Sequence, residues 1–212
     1  MARPLLFGAA YSVYVRIARL TLEEKGVAHD LVPVDVFAAD GLPADYLQRQ
    51  PFGRIPAFEH EGFRLFETGA ITRYVDEAFP GPRLQPEGAR DRARVNQIIS
   101  ILDNYAYRTL VWDIYVERVS GPAKGRPADE ARIAAALPQA RRCLDALVDL
   151  MGDGPWLAGS DLSLADLHAA PMIAYCVRAP EGRALIERAP RLQVWWGRMA
   201  ARPGMLATEF VP

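Results

Sequence analysis

Cysteine is scarce in this sequence. Its 212 residues include two, Cys143 and Cys176, and neither belongs to a CxxC pair or to a cluster with metal-ligand spacing. A disulfide scaffold is therefore excluded, and a reducing, cytoplasmic setting is the expectation. Histidine is equally sparse: His29, His60 and His168 do not cluster, so no metal site is expected. Lysine is nearly absent from the basic residues, with only Lys25 and Lys124, which reads as a compositional habit and not as a site. The formal net charge of -1 gives no basic field for nucleic acid or a membrane surface. No apolar run is long enough to span a bilayer, and Met1 to Gly8 lacks the apolar stretch of a signal peptide.

What is present is an ordinary globular composition, 50% hydrophobic and 24% charged, on a chain long enough for one large domain or two small ones. Two rhythms divide it. Over the first 80 or so residues, short apolar runs alternate with amphipathic stretches. Leu5-Leu6-Phe7 reads as a buried strand ending at Gly8. Val13, Ile17 and Leu20 mark one face of a helix over Ser12 to Lys25, with Ser12 as N-cap and Gly26 just past the end. Val27 to Val36 reads as a strand and its following loop, and Pro43 to Gln48 as a short helix. Ala57–His60 and Phe63–Phe66 form a hairpin about Glu61-Gly62, and Thr68 to Phe79 is a helix closed by Pro80-Gly81-Pro82. This βαβαββα order predicts a mixed sheet covered by helices.

Beyond Pro86 the strand signal stops. Gly88 to Val119 carries one long helical pattern that includes Val95, Ile98, Ile99, Leu102 and Tyr105. Further helices are expected over Ala128 to Leu150, with Pro138 as a kink point, from the capping box Ser163-Leu164-Ala165-Asp166 to about Val177, and after Pro190. The expected organisation is an α/β domain over 1–80, a linker over 81–87 and an all-α domain over 88–212.

Two places carry chemistry. In Gln50-Pro51-Phe52-Gly53-Arg54-Ile55-Pro56-Ala57-Phe58, a proline stands just before a strand, which suits a cis bond or a strand start. A cis bond at Pro56 turns the Ile55 peptide sideways, where it can pair with another peptide backbone. In Glu67-Thr68, a hydroxyl and free N–H groups at a helix start suit a carboxylate, and Glu67 suits an ammonium beside it. Taken singly, a loop and a helix cap explain these residues. Taken together they describe a reader of a γ-glutamyl peptide.

PFGRIPAF followed by LFETGAITRYV resembles the glutathione transferase family. So do the opening YSVYVRIARLTLEEKGV, the later WLAGSDLSLADLHAAP and the terminal VWWGRMAARPG, so that the likeness covers essentially the whole chain. It implies a thioredoxin-like N-terminal domain that binds glutathione, an all-α C-terminal domain, a homodimer with Phe52 and the helix after Gly88 at its interface, and a role in detoxification. The implied reaction adds glutathione, as co-substrate and without metal or redox cofactor, to a hydrophobic electrophile. By resemblance, Ser12 is the catalytic serine of phi- and theta-like classes and donates a hydrogen bond to the thiolate. Ile55 pairs with the cysteinyl part, Pro56 is cis, Glu67 and Thr68 hold the γ-glutamyl end, and Arg54 lies near the glycyl carboxylate.

Gly41 departs from the phi pattern, which carries a histidine for the glycyl carboxylate about there. Tyr11 precedes Ser12 and is the alternative thiol activator. The electrophile is expected between the two domains, lined by Tyr11, Phe37, Tyr105, Tyr107, Trp112 and Tyr115. No cysteine stands in Ala9 to Val13, which argues against mixed-disulfide chemistry. Two other readings remain open: a non-catalytic binding or scaffolding protein on the same fold, and a glutathione-dependent isomerase or dehalogenase.

Overall fold

The structure is a computed structural model that describes residues 2–210. By packing it divides into two units.

The first unit is built on a four-stranded sheet. Strand β1 (Leu5–Gly8) has Leu6, Phe7 and Gly8 buried, as a central strand requires. It pairs parallel with β2 (Asp30–Pro33), Leu6 opposite Leu31, and antiparallel with β3 (Ala57–His60), Leu6 opposite Phe58. Strand β4 (Phe63–Phe66) closes the hairpin with β3, giving the order β2-β1-β3-β4. Glu61 at φ 51 and Gly62 at φ 83 make the turn, since two positive φ values match the strand twist. Helix α1 (Val13–Glu24) connects β1 to β2, and α2 (Thr68–Ala78) follows β4. Successive residues of β1 point to opposite faces. Leu6 packs with Val15, Ala18, Leu22, Phe58, Ile71 and Val75 under the helices, while Phe7 packs with Val34, Tyr46 and Ala57 on the other side.

The strand after α1 is confined to Asp30–Pro33, and the short helix before Gln50 is a 3₁₀ turn over Tyr46–Gln48. Lys25 is a structural anchor: its buried ammonium donates to the Asp76 carboxylate at 3.1 Å and to the carbonyls of Asp76 and Pro82, tying the ends of α1 and α2 together.

The second unit, Leu84 to Arg202, is helical. Helix α3 (Ala89–Ile101) continues into π-helical turns over Leu102–Ala106 and Arg108–Ser120, followed by the short α4 (Gly121–Ala123). Val95, Ile98, Ile99 and Leu102 are buried, whereas Tyr105 is 56% exposed. Ala106, i+4 from Leu102 and i+7 from Ile99, continues the buried stripe instead. Helix α5 (Glu130–Leu150) runs unbroken through Pro138. Helix α6 (Leu164–Cys176) is buried on almost every side, and α7 (Pro180–Glu187), which the sequence pattern did not reveal, leads to α8 (Pro190–Ala200).

The stretch from Pro203 packs with the first unit. In this stretch, α9 (Pro203–Ala207) accepts hydrogen bonds from α1: Arg16 donates to Met205 O at 2.9 Å and Arg19 to Ala207 O at 3.3 Å.

Candidate functional site

The candidate residues of the first unit gather at one edge of its sheet, and strand register explains why. Phe7 pairs with Ala57, and Ala57 with Phe66. The exit of β1, the entry to β3 and the exit of β4 therefore coincide, which brings Tyr11-Ser12, Ile55-Pro56 and Glu67-Thr68 to the same side. Gly8 lets them close in. A Cβ placed there would lie 2.4 Å from Val15 Cγ2 and 3.4 Å from Ile55 Cβ, so only glycine allows the first turn of α1 and the Ile55 loop to approach β1 this closely.

Ser12 caps α1. Its backbone is extended, at φ -75 and ψ 128, and its Oγ accepts the Val15 N–H at 3.4 Å. One lone pair is thereby engaged, while the hydroxyl proton donates to no group among the described residues. Tyr11 differs in this respect. Its O–H donates to Asp35 Oδ1 at 2.5 Å. Burial, together with the hydrogen bond and negative charge of Asp35, pushes the phenol well above its ordinary pKa. The Tyr11 proton is committed, and the ring does not ionise at neutral pH.

The Ile55–Pro56 bond is cis. The Ile55 N–H and C=O enter none of the turn, loop or cap hydrogen bonds among the described residues, while its side chain packs against both cores. The loop before it is held from beneath by Gln50, which is 2% exposed. Gln50 Oε1 accepts the N–H groups of Phe52 at 2.7 Å and Arg54 at 3.2 Å. The Tyr46 hydroxyl donates to Arg54 O at 2.7 Å, and burial pushes that phenol up to about 12. The Arg54 side chain is exposed and has no carboxylate partner among the described residues.

Glu67 adopts φ 68 and ψ 114. For a residue with a side chain this is strained backbone. It places an exposed carboxylate, unpaired among the described residues, at the start of α2. Glu67 O accepts from Ala70 and Ile71 N–H, which leaves the N–H groups of Thr68 and Gly69 outside the helix's own bonding. An anion is favoured at such an N-terminus.

Gly41, at φ 77, donates its N–H to Ala38 O. The turn itself favours glycine there, and a histidine would be strained. Among the expected electrophile-lining residues, Tyr11 and Phe37 stack with centroids 6.1 Å apart. Tyr115 is buried edge-on against Tyr175 at 4.8 Å inside the helical unit, Tyr105 is exposed, and Tyr107 and Trp112 are half-buried. His168 pairs with Asp103 at 2.7 Å. Nothing in the local sequence pattern distinguishes buried Gln50 or bridging Asp35 from ordinary loop polarity.

Comparison with known proteins identifies the family. Residues 6–83 match the model of the glutathione S-transferase N-terminal domain, and residues 130–198 that of the glutathione S-transferase C-terminal domain. Glutathione S-transferase 4 of Zea mays is 32% identical over 215 residues, covering 100% of this chain and 96% of its own. The structure of glutathione transferase F7 from Populus trichocarpa superimposes with a TM-score of 0.86 at 28% identity, covering 97% of each chain. That of glutathione S-transferase I bound with lactoylglutathione does so at 0.88 and 26% identity, covering 98% of each. With both domain models matched and the likeness running end to end, the chain belongs to the glutathione S-transferase family.

Proposed function

We propose that Ser12 donates the hydrogen bond that holds glutathione as its thiolate, in an enzyme that conjugates this thiolate to a hydrophobic electrophile. One observation carries the assignment: the Tyr11 proton is committed to Asp35, whereas the Ser12 proton, at the N-terminus of a 12-residue helix, is uncommitted among the described residues. A hydrogen bond to a charged group contributes about 1.5–3 kcal/mol, and the helix terminus adds about 0.3–1 kcal/mol. A free thiol has a pKa of roughly 8.5. Stabilisation of that size brings it to neutrality or below, where the thiolate is the nucleophile.

The peptide is positioned by groups whose own bonding leaves them open. The Ile55 main chain pairs with the cysteinyl residue. The Glu67 carboxylate receives the γ-glutamyl ammonium, and the Thr68 hydroxyl with the N–H groups of Thr68 and Gly69 receives its carboxylate. Arg54 faces the glycyl carboxylate. Thiolate sulfur then attacks the electrophilic carbon, the S–C bond forms, and the leaving group departs with its electron pair. Holding the thiolate in place converts a bimolecular encounter into a positioned attack.

This enzyme works in the cytoplasm, in detoxification and without a resident cofactor. Two buried, unpaired cysteines suit a reducing compartment. It works as a homodimer, with Phe52, 69% exposed and edge-on to Phe66 at 6.0 Å, as an apolar contact. The test is a glutathione titration followed by thiolate ultraviolet absorbance across pH. Saturable binding with a depressed thiol pKa supports the reading, and no binding at millimolar glutathione removes it.

A further inference from the structure

We propose that Arg54 alone reads the C-terminal carboxylate of the thiol peptide, and that the site therefore accepts γ-glutamyl-cysteinyl peptides whose third residue is longer or bulkier than glycine. The inference rests on the glutathione reading above, in which Ser12, Ile55, Glu67 and Thr68 grip the other two residues of the peptide.

Arg54 combines a fixed backbone with an uncommitted charge. Its N–H donates to Gln50 Oε1 at 3.2 Å, and its carbonyl accepts from the Tyr46 hydroxyl at 2.7 Å. Its guanidinium is exposed and has no carboxylate partner among the described residues. No second cation supports it. Residues 35 to 56 contain two, Arg49 and Arg54. Arg49 is engaged within the fold: it pairs with Asp45 at 2.7 Å and Glu59 at 3.6 Å, and its guanidinium lies 4.9 Å from the Phe7 ring centroid. The surroundings of Arg54 are apolar or bare. Leu42 and Leu47 close on the residue before it, since a Cβ at Gly53 would stand 3.2 Å from Leu42 Cδ1 and 3.8 Å from Leu47 Cδ2. Gly41, next to Leu42, turns at φ 77, and a Cβ there would meet nothing within 4 Å among the described residues.

This arrangement selects for a charge and not for a length. A carboxylate held by several fixed donors is bound at one point, and an added methylene pulls it off them. A single guanidinium on a long rotatable stem follows the carboxylate instead, and its planar fork keeps two parallel hydrogen bonds wherever the stem carries it. The space beside Gly41 leaves room for a side chain on the third residue. The peptides that fit end in glycine, β-alanine or serine, each with a free carboxylate. Because the contact is exposed, its strength is modest and salt weakens it.

The test measures Kd by thiolate ultraviolet absorbance for glutathione, γ-glutamyl-cysteinyl-β-alanine, γ-glutamyl-cysteinyl-serine and the glycyl monoethyl ester of glutathione, which carries no charge at that end. Wild type should bind the three acids within about threefold of one another and the ester about five- to tenfold more weakly. Arg54→Gln should weaken the three acids by that same factor and leave the ester unchanged, and Arg54→Lys should recover part of the loss. The ester thus reports whether the variant still folds and binds. A preference for glycine over β-alanine or serine of about tenfold or more would overturn the inference. So would an Arg54→Gln variant that binds glutathione as wild type does, or that loses as much affinity for the ester as for glutathione. Those outcomes leave the Ser12 reading intact as long as glutathione binds with a depressed thiol pKa. Absence of binding by all four peptides takes down both.

Discussion

Tyr11 gives its hydroxyl proton to Asp35 across 2.5 Å, while Ser12, the next residue, spends only a lone pair, on Val15 N–H at 3.4 Å. Two hydroxyls adjacent in sequence therefore have opposite capacities, and that difference can be measured. Ser12→Ala should return the pKa of bound glutathione toward that of the free thiol and lower kcat/KM about 10- to 100-fold at neutral pH, the equivalent of about 1.5–3 kcal/mol. Tyr11→Phe should leave the thiol pKa where it is. Ultraviolet titration of the thiolate on both variants decides it: a depression that survives Ser12→Ala but vanishes in Tyr11→Phe reverses the assignment.

Gly8→Ala tests the close approach that brings the site together. The added methyl would stand 2.4 Å from Val15 Cγ2. Val15 is fully buried and β-branched, with no freedom to swing aside. Overpacking of this kind costs about 1–3 kcal/mol, and Ile55 at 3.4 Å should be pushed outward with it. Chemical denaturation should show the lost stability, and glutathione affinity should fall in parallel. A variant with wild-type stability would mean that the β1–α1 contact is softer than its geometry implies.

Glu67→Gly separates stability from binding. A positive φ at a residue with a side chain costs about 1–3 kcal/mol, and glycine relieves it at an entropic cost of about 0.5–1 kcal/mol. The variant should therefore be as stable as wild type, or more so by about 1 kcal/mol, yet bind glutathione more weakly because the ammonium partner is gone. Concurrent loss of stability and binding would show that the Glu67 side chain supports the fold itself.

How much of this was legible in the sequence depends on the range of the interaction. Ser12, Thr68 and the Ser163–Asp166 box are helix starts, read from side chains three or four positions apart, and each stands at or beside a helix start in the structure. Asp35 acts on Tyr11 from 24 residues away, and Gln50 holds Phe52 and Arg54, two and four residues on, from beneath a loop, with no period to mark either. Tyr105 lies at the margin of the buried stripe that Ala106 continues, where spacing alone does not decide between burial and exposure. The docking of Pro203–Ala207 on α1 depends on Arg16 reaching a carbonyl 189 residues away, and no local pattern encodes that.

Asp166 should be among the least replaceable residues of the helical unit. Fully buried, it accepts from Leu157 N–H, Trp195 Nε1–H, Ser163 N–H and Ser163 Oγ–H at 2.8–2.9 Å. Asp166→Ala leaves buried donors without acceptors, each costing about 1–3 kcal/mol, so a total near or above about 3 kcal/mol is expected in chemical denaturation. A loss below about 1 kcal/mol would imply that water replaces the carboxylate in that pocket.

Glu117 supplies the acid limb of stability. It is 1% exposed, and its two oxygens accept from Arg126 at 2.5 Å and Arg132 at 2.7 Å. The Arg126 hydrogen bond lowers its pKa most. Burial opposes this, and the charges of Arg126 and Arg132 lower it further. The folded pKa thus lies below the ordinary 4.5. Near 4.5 the unfolded chain begins to take up a proton that the folded chain still refuses, so stability falls as acid is added. Above 4.5 the contribution is complete, and it is gone once the pH has passed below the folded value. Glu117→Gln has no such proton to bind. The stability difference between wild type and variant should be constant from pH 7 down to about 5 and shrink progressively below that. Urea titrations at several pH values measure that difference directly. A gap that stayed constant down to pH 3 would show that the two arginines do not hold Glu117 in its ionised form.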